Sequence, residues 1–356
     1  ARMACAVRRD HPIHSPTMDN LTHALLGGLL MAACAPAARR RAALLAGAAV
    51  ATLPDLDVFW PWADPVAAFT MHRSATHSLL VLPVAGLLLW LALRAWRPVR
   101  EAPWRWLLGI ELALVTHALI DACTVYGTQL LWPLERPPVM WATLFIIDPL
   151  VTLPLLVGFV LAWRRREQRG GGFWTGAGLA LCALYLAWAG GAKWLLERGL
   201  HQQLAAKGYT AAFVLTQPTP FNTIAWRVLV MRADGRQYFE GFYSYATGRI
   251  TPLQPMISQP ELLANVQSPA LDRLRWFTQS FYSVQEVGKD VVLADLRMGI
   301  EPKYTFRFVV GEKGADGVVA VEPPRQLPWP DWSKADFERL WRIITRTDEG
   351  QGFATE

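Results

Sequence analysis

Six apolar stretches, separated by short polar segments, restrict the fold of this chain more than any other feature. A helix needs about 20 apolar residues to cross a bilayer, and the third, fifth and sixth stretches come near that length. The first two are short and rich in alanine and glycine, so a buried helical hairpin is the alternative for them. The pattern predicts a membrane α-helical bundle of about six apolar helices, at residues 21–35, 42–53, 79–96, 104–122, 145–163 and 173–196.

Arginines cluster after every second apolar stretch. They occupy positions 39–41, then four positions between 94 and 105, then 164–166 and 169. Because cytoplasmic loops of membrane proteins are enriched in Lys and Arg, these three loops are predicted to be cytoplasmic. The intervening loops and everything after residue 196 then face the periplasm, which predicts a multi-pass protein of the bacterial inner membrane.

Composition excludes several other classes of protein. Charged residues make up 18% of the chain, against about 25% in an average soluble domain. The net charge of +6 comes from basic clusters between apolar stretches rather than from one basic stripe, so nucleic acid is not an expected partner. The four cysteines form no CxxC pair, which argues against a disulfide framework or a thiolate zinc site.

The chain divides into three predicted parts. Residues 1–17 lack the apolar core of a secretory signal and are interpreted as a flexible N-terminal extension. Residues 18–196 form the predicted transmembrane domain. Beyond them, the β-forming runs 223–231 and 237–245 flank an Asp-Gly turn, which predicts a hairpin. Residues 197–356 are therefore predicted to be a soluble, non-cytoplasmic α+β domain.

Histidines and aspartates from separate parts of the chain fall at the predicted periplasmic ends of the apolar stretches. Ionisable groups near a bilayer are costly and are by default candidate functional residues. His117 and Asp121 are four residues apart, so on a helix they lie on one face. The predicted metal ligands are His23, Asp55, Asp57, His72, His77, His117 and Asp121.

This set contains imidazoles and carboxylates but no thiolate, which suits Zn²⁺, Mn²⁺ or Fe better than Ca²⁺. It supplies enough ligands for one or two ions. The predicted chemistry is hydrolysis by a metal-activated water, with Asp57 as general base or bridging ligand. The fork of the Arg73 guanidinium suits a phosphate or carboxylate, and contact with a lipid headgroup is the alternative for it.

Four motifs stand out in the first half of the chain. They are Met18-Asp19-Asn20-Leu21-Thr22-His23, Leu53-Pro54-Asp55-Leu56-Asp57, His72-Arg73-x-x-Thr76-His77-Ser78, and His117-x-x-x-Asp121 followed by Tyr126-Gly127. These motifs resemble those of the YdjM-type membrane-bound metal-dependent hydrolases, over about residues 18–165. The resemblance implies an inner-membrane hydrolase that needs a divalent metal. Two of the blocks, PD-x-D and HR-x-x-THS, are also similar to those of zinc-dependent phospholipase C proteins. Many relatives have glycine where this chain has Ser74.

Two other functions are compatible with the sequence. The membrane part could be a non-enzymatic anchor, stabilised by a metal, that displays the C-terminal domain to a partner. A transporter coupled to ions or protons is the third interpretation, and it depends on Glu111 in the middle of the fourth apolar stretch. For the hydrolase, membrane lipid and a lipid-linked or periplasmic phosphoester are the expected partner and substrate. The sequence leaves the metal, the substrate and the role of the C-terminal domain open.

Overall fold

A computed structural model describes residues 20–165, 169–206, 213–315 and 317–345 of the chain. The predicted N-terminal extension, residues 1–17, lies outside this described part. The N-terminal region is helical, and a sheet-rich region follows it. The helices of the first region are α1 (Asn20–Cys34), α2 (Arg40–Ala51), α3 (Pro65–Met71), α4 (Leu82–Leu93), α5 (Arg97–Glu101), α6 (Pro103–Ala122), α7 (Pro149–Arg164) and α8 (Arg169–Ala206).

The prediction of a six-helix apolar membrane bundle is wrong. Each apolar stretch contains a helix, but in the described chain only Gly170–Leu200, within α8, is by itself long and apolar enough to cross a membrane. Helices α1, α2, α4 and α7 have 15, 12, 12 and 16 residues, fewer than the about 20 needed. α6 has 20 residues, but Arg105, Glu111 and Asp121 interrupt its apolar surface.

A second crossing would require a bent pair of segments. Pro65–His77 and Leu82–Leu93 are long and apolar enough only when taken together, and they meet at a bend of 61°. Apolar composition does not separate a helix that faces lipid from one that packs inside a protein, and this explains the error. α1 is of the second kind, because it packs against α2, α6, α7 and α8 and buries Leu25, Leu29 and Met31.

The C-terminal region is rich in strands. They are β1 (Phe213–Pro218), β2 (Ala225–Met231), β3 (Gln237–Ser244), β4 (Arg249–Ile250), β5 (Gln254–Ile257), β6 (Tyr282–Val287), β7 (Asp290–Asp295), β8 (Gly299–Ile300), β9 (Lys303–Tyr304), β10 (Arg307–Gly314) and β11 (Gly317–Gln326). In the described residues they form three antiparallel sheets. One has the strand order β1-β2-β3-β4 with β5 also paired to β3, the second has the order β11-β10-β7-β6, and the third is the pair β8-β9. The predicted hairpin is β2–β3, with Met231 opposite Tyr238.

Two further helices, α9 (Pro269–Thr278) and α10 (Lys334–Thr345), complete the described chain. α9 begins where the side chain of Ser268 accepts a hydrogen bond from the Leu271 N–H, with proline at the first helical position. This combination satisfies a free N–H group and pre-sets the backbone for a helix. α9 packs against α3, and it therefore connects the sheet-rich region to the helical one.

The two regions share one apolar core. Phe69 of α3 lies 4.9 Å from Phe277 of α9 and 4.3 Å from Phe306, measured between ring centroids. Tyr126, which follows α6, lies 5.7 Å from Phe277 and donates its hydroxyl hydrogen to the Phe69 carbonyl oxygen. Buried aromatic pairs of this kind add to the energy of apolar burial. The sheet-rich region is therefore docked on the loops of the helical region.

Candidate metal centre

Close packing of α1 on α2 aligns the ends of these helices. A Cβ added to Gly27 would lie 2.3 Å from the Cβ of Ala51, and one added to Gly47 would lie 2.3 Å from the Gly27 carbonyl oxygen. Any larger side chain at either glycine would push the helices apart. The contact places His23, in the first turns of α1, and Asp55, just after α2, at the same end of the helical region.

α6 and the segment before α4 bring three more groups to this end. His117 and Asp121 point from one face of α6, as their spacing of four residues requires. His77 ends a short 3₁₀ turn, Ala75–His77, a few residues before α4. These three side chains are at most 1% exposed, so the chain has placed ionisable groups deep in its interior.

Asp55, His77, His117 and Asp121 form a buried group, the Asp–His cluster, in which one ligand atom of each residue lies within 4.8 Å of the others. Nε2 of His77 lies 3.0 Å from Nε2 of His117 and 3.0 Å from Oδ2 of Asp121. Oδ1 of Asp55 lies 3.5 Å from the same nitrogen of His77 and 3.4 Å from that of His117. Nε2 of His117 lies 3.6 Å from Oδ2 of Asp121.

These separations fit the edges of a tetrahedral metal site. Ligand atoms at about 2.0–2.1 Å from a zinc ion, in tetrahedral geometry, lie about 3.3 Å from each other. The five distances of the Asp–His cluster run from 3.0 to 3.6 Å. Two imidazole nitrogens and two carboxylate oxygens are also a common donor set for Zn²⁺, Mn²⁺ or Fe. The cluster can therefore hold a divalent ion.

Unsatisfied polar atoms in the cluster support the same fit. Both carboxylate oxygens of Asp55 are buried, and neither has a hydrogen-bond partner within the described residues. Buried polar groups are normally hydrogen-bonded because desolvation without a partner is costly. Carboxylate oxygens and ring nitrogens that face one another without enough hydrogens between them indicate a place for a cation.

The electrostatics keep the carboxylates charged and shift the pKa values of the two imidazoles in opposite directions. Burial raises the pKa of Asp55, but the nearby His117 and His77 outweigh burial and hold that pKa below its ordinary value. Burial and the neighbouring His23 lower the pKa of His117 to about 4. Burial also lowers the pKa of His77, but its contacts with Asp121 and Asp55 outweigh burial and raise it to about 9. Repulsion from His77, whose Nε2 lies 3.0 Å from that of His117, adds to the lowering of the His117 pKa.

Asp57 and His72 form a second pair beside the cluster. Nδ1 of His72 lies 2.7 Å from Oδ1 of Asp57, and the backbone N–H of Arg73 and the hydroxyl of Thr76 donate to Oδ2 of Asp57. Thr76 Oγ1 also lies 2.9 Å from Nδ1 of His77. Because Asp57 accepts at Nδ1 of His72, Nε2 of that ring is left without a proton. This nitrogen is buried and has no hydrogen-bond partner in the described part of the chain.

The Arg73 side chain is fully buried and faces Asp121. Its Nη2 lies 2.7 Å from Oδ1 of Asp121, and its Nη1 donates to Thr124 Oγ1. The guanidinium also lies 5.2 Å from the ring centre of Tyr126. The backbone of Arg73 is left-handed, with φ of 61°, a conformation that is strained for a non-glycine residue and often occurs at functional sites.

Ser74 has a negative φ of −98°. The serine that stands where many relatives have glycine therefore needs no left-handed backbone. In this turn the rings of His72 and His77 are neighbours, with their centroids 5.9 Å apart.

A small cleft lies next to the cluster. His23 lines it together with Arg73 and Asp121, and Nε2 of His23 lies 3.2 Å from Oδ1 of Asp121. The cleft has a volume of about 20 Å³, and about 10–15 Å³ is enough for one water molecule. The ring of His23 also stacks near that of His117, with centroids 3.9 Å apart. The cleft is a place where a water or a substrate oxygen can reach Asp121.

The structure groups the seven predicted ligands unevenly. Asp55, His77, His117 and Asp121 meet in the Asp–His cluster, and His23 contacts it through Asp121. His72 and Asp57 are partners of each other instead. No observation tests the predicted roles of Asp57 and Arg73 in catalysis, and they stay predictions.

Two residues that support the site, Thr76 and Arg273, were not among the predicted site residues. Thr76 lies inside the His72–Ser78 motif, so its position was a usable signal. Arg273 of α9 was not detectable, because its contacts are distant in sequence: it donates to Thr70 Oγ1, to the Thr70 carbonyl oxygen and to Gln129 Oε1. These bonds attach the sheet-rich region to the segment that carries His72.

Comparison with known proteins identifies a family for the helical region. The model of a family described as the YdjM inner membrane protein matches residues 18–194, which confirms the resemblance found in the motifs. The matched range contains all seven predicted ligands and Arg73, and it ends inside α8. Searches among curated proteins and solved structures find no match.

Proposed function

Through residues 18–194 the chain belongs to the YdjM inner membrane protein family, and we propose that it is a metal-dependent hydrolase that acts on phosphoester or lipid-linked substrates. The observation that carries the proposal is the Asp–His cluster, whose donor atoms are 3.0 to 3.6 Å apart. A divalent ion held by these four groups would supply Lewis acidity for the activation of water.

His72 is the proposed proton acceptor. Asp57 holds Nδ1 of its ring at 2.7 Å, which fixes the tautomer and leaves Nε2 able to take a proton. In this assignment Asp57 is a positioning residue, since its two oxygens are occupied by His72, Arg73 and Thr76.

Arg73 and His23 are proposed to position the substrate. Both line the small cleft beside Asp121, where the scissile group would lie. Arg73 cannot be a freely moving anion clamp, because Asp121 and Thr124 already engage its guanidinium. Its positive charge stabilises the charged form of Asp121, so Arg73 would act by holding that carboxylate beside the substrate.

The orientation proposed is periplasmic for the Asp–His cluster and the C-terminal domain. Basic groups collect at the opposite end of the helical region: Arg105 donates to the carbonyl oxygen of Cys34, at the end of α1, and Arg41 donates to that of Trp163. His23 lies near the start of α1. The enrichment of arginine on the cytoplasmic side of membrane proteins supports this orientation.

A second candidate function has its own supporting observation. Four protein ligands complete a tetrahedral site, and structural zinc sites are closed in this way, whereas catalytic sites keep an open position. A metal-stabilised anchor that displays the C-terminal domain is therefore the alternative. The hydrolase requires a fifth coordination position or the release of one carboxylate.

Hydrolysis by the metal-loaded full chain separates the two functions. Purified protein is assayed with bis-p-nitrophenyl phosphate and with a p-nitrophenyl carboxylic ester. For the hydrolase we expect turnover that a chelator abolishes, and His72→Gln should lower it by about 100-fold or more while the metal content stays at the wild-type level. Full metal content without turnover of either substrate would favour the anchor.

A further inference from the structure

The sheet-rich region contains a cavity of about 420 Å³, which lies within the size range of ligand sites, about 300–1,000 Å³. Its wall is mostly apolar and aromatic and includes Phe242, Ile300, Trp329 and Trp332. An apolar cavity of this size stays dry and takes up apolar molecules. The contents best suited to such a wall are hydrocarbon.

The two positively charged side chains in the wall are paired with other protein groups. The guanidinium of Arg297 is held by both carboxylate oxygens of Asp295, and that of Arg227 binds Glu240 and the carbonyl oxygen of Leu296. These contacts neutralise the two positive charges, so the wall offers an anionic ligand little attraction. This observation argues for an uncharged, apolar occupant.

The cavity and the small cleft beside the Asp–His cluster share a wall. Leu144, Phe145 and Ile146 line both of them. Thr124 lines the cleft and the next residue, Val125, lines the cavity. A molecule with a polar headgroup and an apolar tail could therefore place its headgroup in the cleft and its tail in the cavity, on the two sides of the segment 144–146.

The cavity also reaches the protein surface near α8, the helix that is long and apolar enough to cross a membrane. Phe221 lines the cavity and is about half exposed, and its φ of 66° is left-handed and strained. Two residues along the chain, Thr223 accepts a hydrogen bond from Trp188 Nε1 and lies 3.1 Å from the Tyr185 hydroxyl. Both aromatic residues belong to α8, so this side of the cavity lies beside the candidate membrane span.

From these four observations we infer that the cavity binds the hydrocarbon chain of a membrane lipid whose headgroup lies at the Asp–His cluster. The inference rests on the proposed function and assigns its substrate class, an amphiphilic lipid rather than a soluble phosphoester. It also assigns a role to the C-terminal domain, which would select substrates by their apolar chain.

Photo-crosslinking of the full chain tests the inference directly. The protein is reconstituted in phosphatidylcholine vesicles that contain a small fraction of phosphatidylcholine with a diazirine at the end of one acyl chain. After illumination, labelled peptides are identified by mass spectrometry. We expect label in residues 217–221, which line the cavity, and in the segment 327–337, which contributes Trp329, Trp332 and Phe337 to its wall. Label confined to α8 and α4 would overturn the inference.

A cavity-filling variant and a matched surface variant sharpen the test. Ile300→Trp occupies the cavity, and each methylene that it keeps out forfeits about fourfold in binding, so label in the two cavity segments should fall by at least about tenfold. Ile257→Trp makes the same change at a site that is 73% exposed and should leave labelling unchanged. Equal labelling in a folded Ile300→Trp protein would contradict the inference, and the wild-type pattern tests it even if that variant does not fold.

The failures of the two proposals are distinguishable. Suppose that the metal-loaded protein shows no hydrolysis but that lipid still labels the cavity, with or without a chelator. This result would refute the hydrolase and support the binding of a hydrocarbon chain in the cavity. Hydrolysis of a lipid ester without cavity label would refute the cavity and leave the hydrolase in place.

Discussion

A buried ion pair of the sheet-rich region and the Asp–His cluster of the helical region differ in how their polar atoms are satisfied. In the sheet-rich region, Asp295 and Arg297 form a closed pair: both oxygens of the carboxylate bind the guanidinium, and Oδ1 also accepts the Arg297 backbone N–H. In the helical region, the oxygens of Asp55 have no hydrogen-bond partner among the described residues, and the nearest ring nitrogens lie 3.4 and 3.5 Å from Oδ1. The first pair is complete within the protein, whereas the Asp–His cluster has donor atoms that could hold a cation.

This difference separates a structural ion pair from a ligand site although burial is the same. Asp295 and Arg297 are fully buried, and so are His77 and His117. Burial of a charge is expensive unless the charge is paired and hydrogen-bonded. The state of each hydrogen-bonding atom therefore carries more information about function than the exposure of the residue.

The largest effect is expected when the closed pair is broken. Asp295→Ala leaves the Arg297 guanidinium buried without its counter-charge, which should lower the free energy of unfolding by about 3–5 kcal/mol. Urea unfolding of the full chain in detergent measures this loss, and a chelator should not change its size. Asp272→Ala removes a carboxylate whose side chain is 74% exposed and should stay within about 0.5 kcal/mol of wild type. Equal losses of unfolding free energy in Asp295→Ala and Asp272→Ala would show that the Asp295–Arg297 pair is not a closed structural pair.

A smaller effect is expected at the residue that orients His72. Asp57→Ala removes the acceptor for Nδ1 of His72 and for the Thr76 hydroxyl, and loss of such an orienting partner typically weakens metal affinity or activity about 10- to 100-fold. Isothermal titration with Zn²⁺ measures the affinity, and turnover measures the activity. If both values match those of Asp272→Ala, Asp57 has no orienting role.

The smallest expected effect, for a change of one pH unit, is that of pH on the affinity for the metal. The pKa of His77 is raised to about 9, so this imidazole carries a proton at pH 7 in the metal-free chain and must lose it to bind an ion. Apparent affinity should therefore rise about tenfold for each pH unit from 6 to 8, and flatten above 9. His117, with its pKa lowered to about 4, adds no proton in that interval. Titrations in buffers of different ionisation enthalpy count the released proton, and a count of zero would contradict the geometry around His77.

The sequence predicted the composition of the site better than the architecture around it. The convergence of Asp55, His77, His117 and Asp121 followed from their positions at the same ends of apolar stretches, and that reasoning does not require each stretch to cross a membrane. The six crossings failed because residues 21–35 and 42–53 are apolar for contact with other helices rather than with lipid. Length was the usable warning, since α1 and α2 have only 15 and 12 residues.

The docking of the C-terminal region was beyond prediction for a physical reason. It depends on contacts between residues about 200 positions apart, such as Arg273 with Thr70 and Phe277 with Phe69. No local pattern encodes such a pairing, because each residue alone reads as an ordinary surface arginine or core aromatic. The sequence also could not show which predicted ligands meet in the cluster. Asp55 and Asp57 belong to the same short motif, but only Asp55 joins the cluster.

The metal content per chain tests the central claim most directly. Full-length protein is purified in detergent, and transition metals are measured by mass spectrometry in wild type, His77→Ala and Asp272→Ala. The account predicts about one equivalent in wild type and Asp272→Ala, and a loss of nearly all metal in a folded His77→Ala protein. Equal metal in all three proteins, or no metal in wild type even after reconstitution with Zn²⁺, Mn²⁺ and Fe²⁺, would contradict the assignment of the Asp–His cluster.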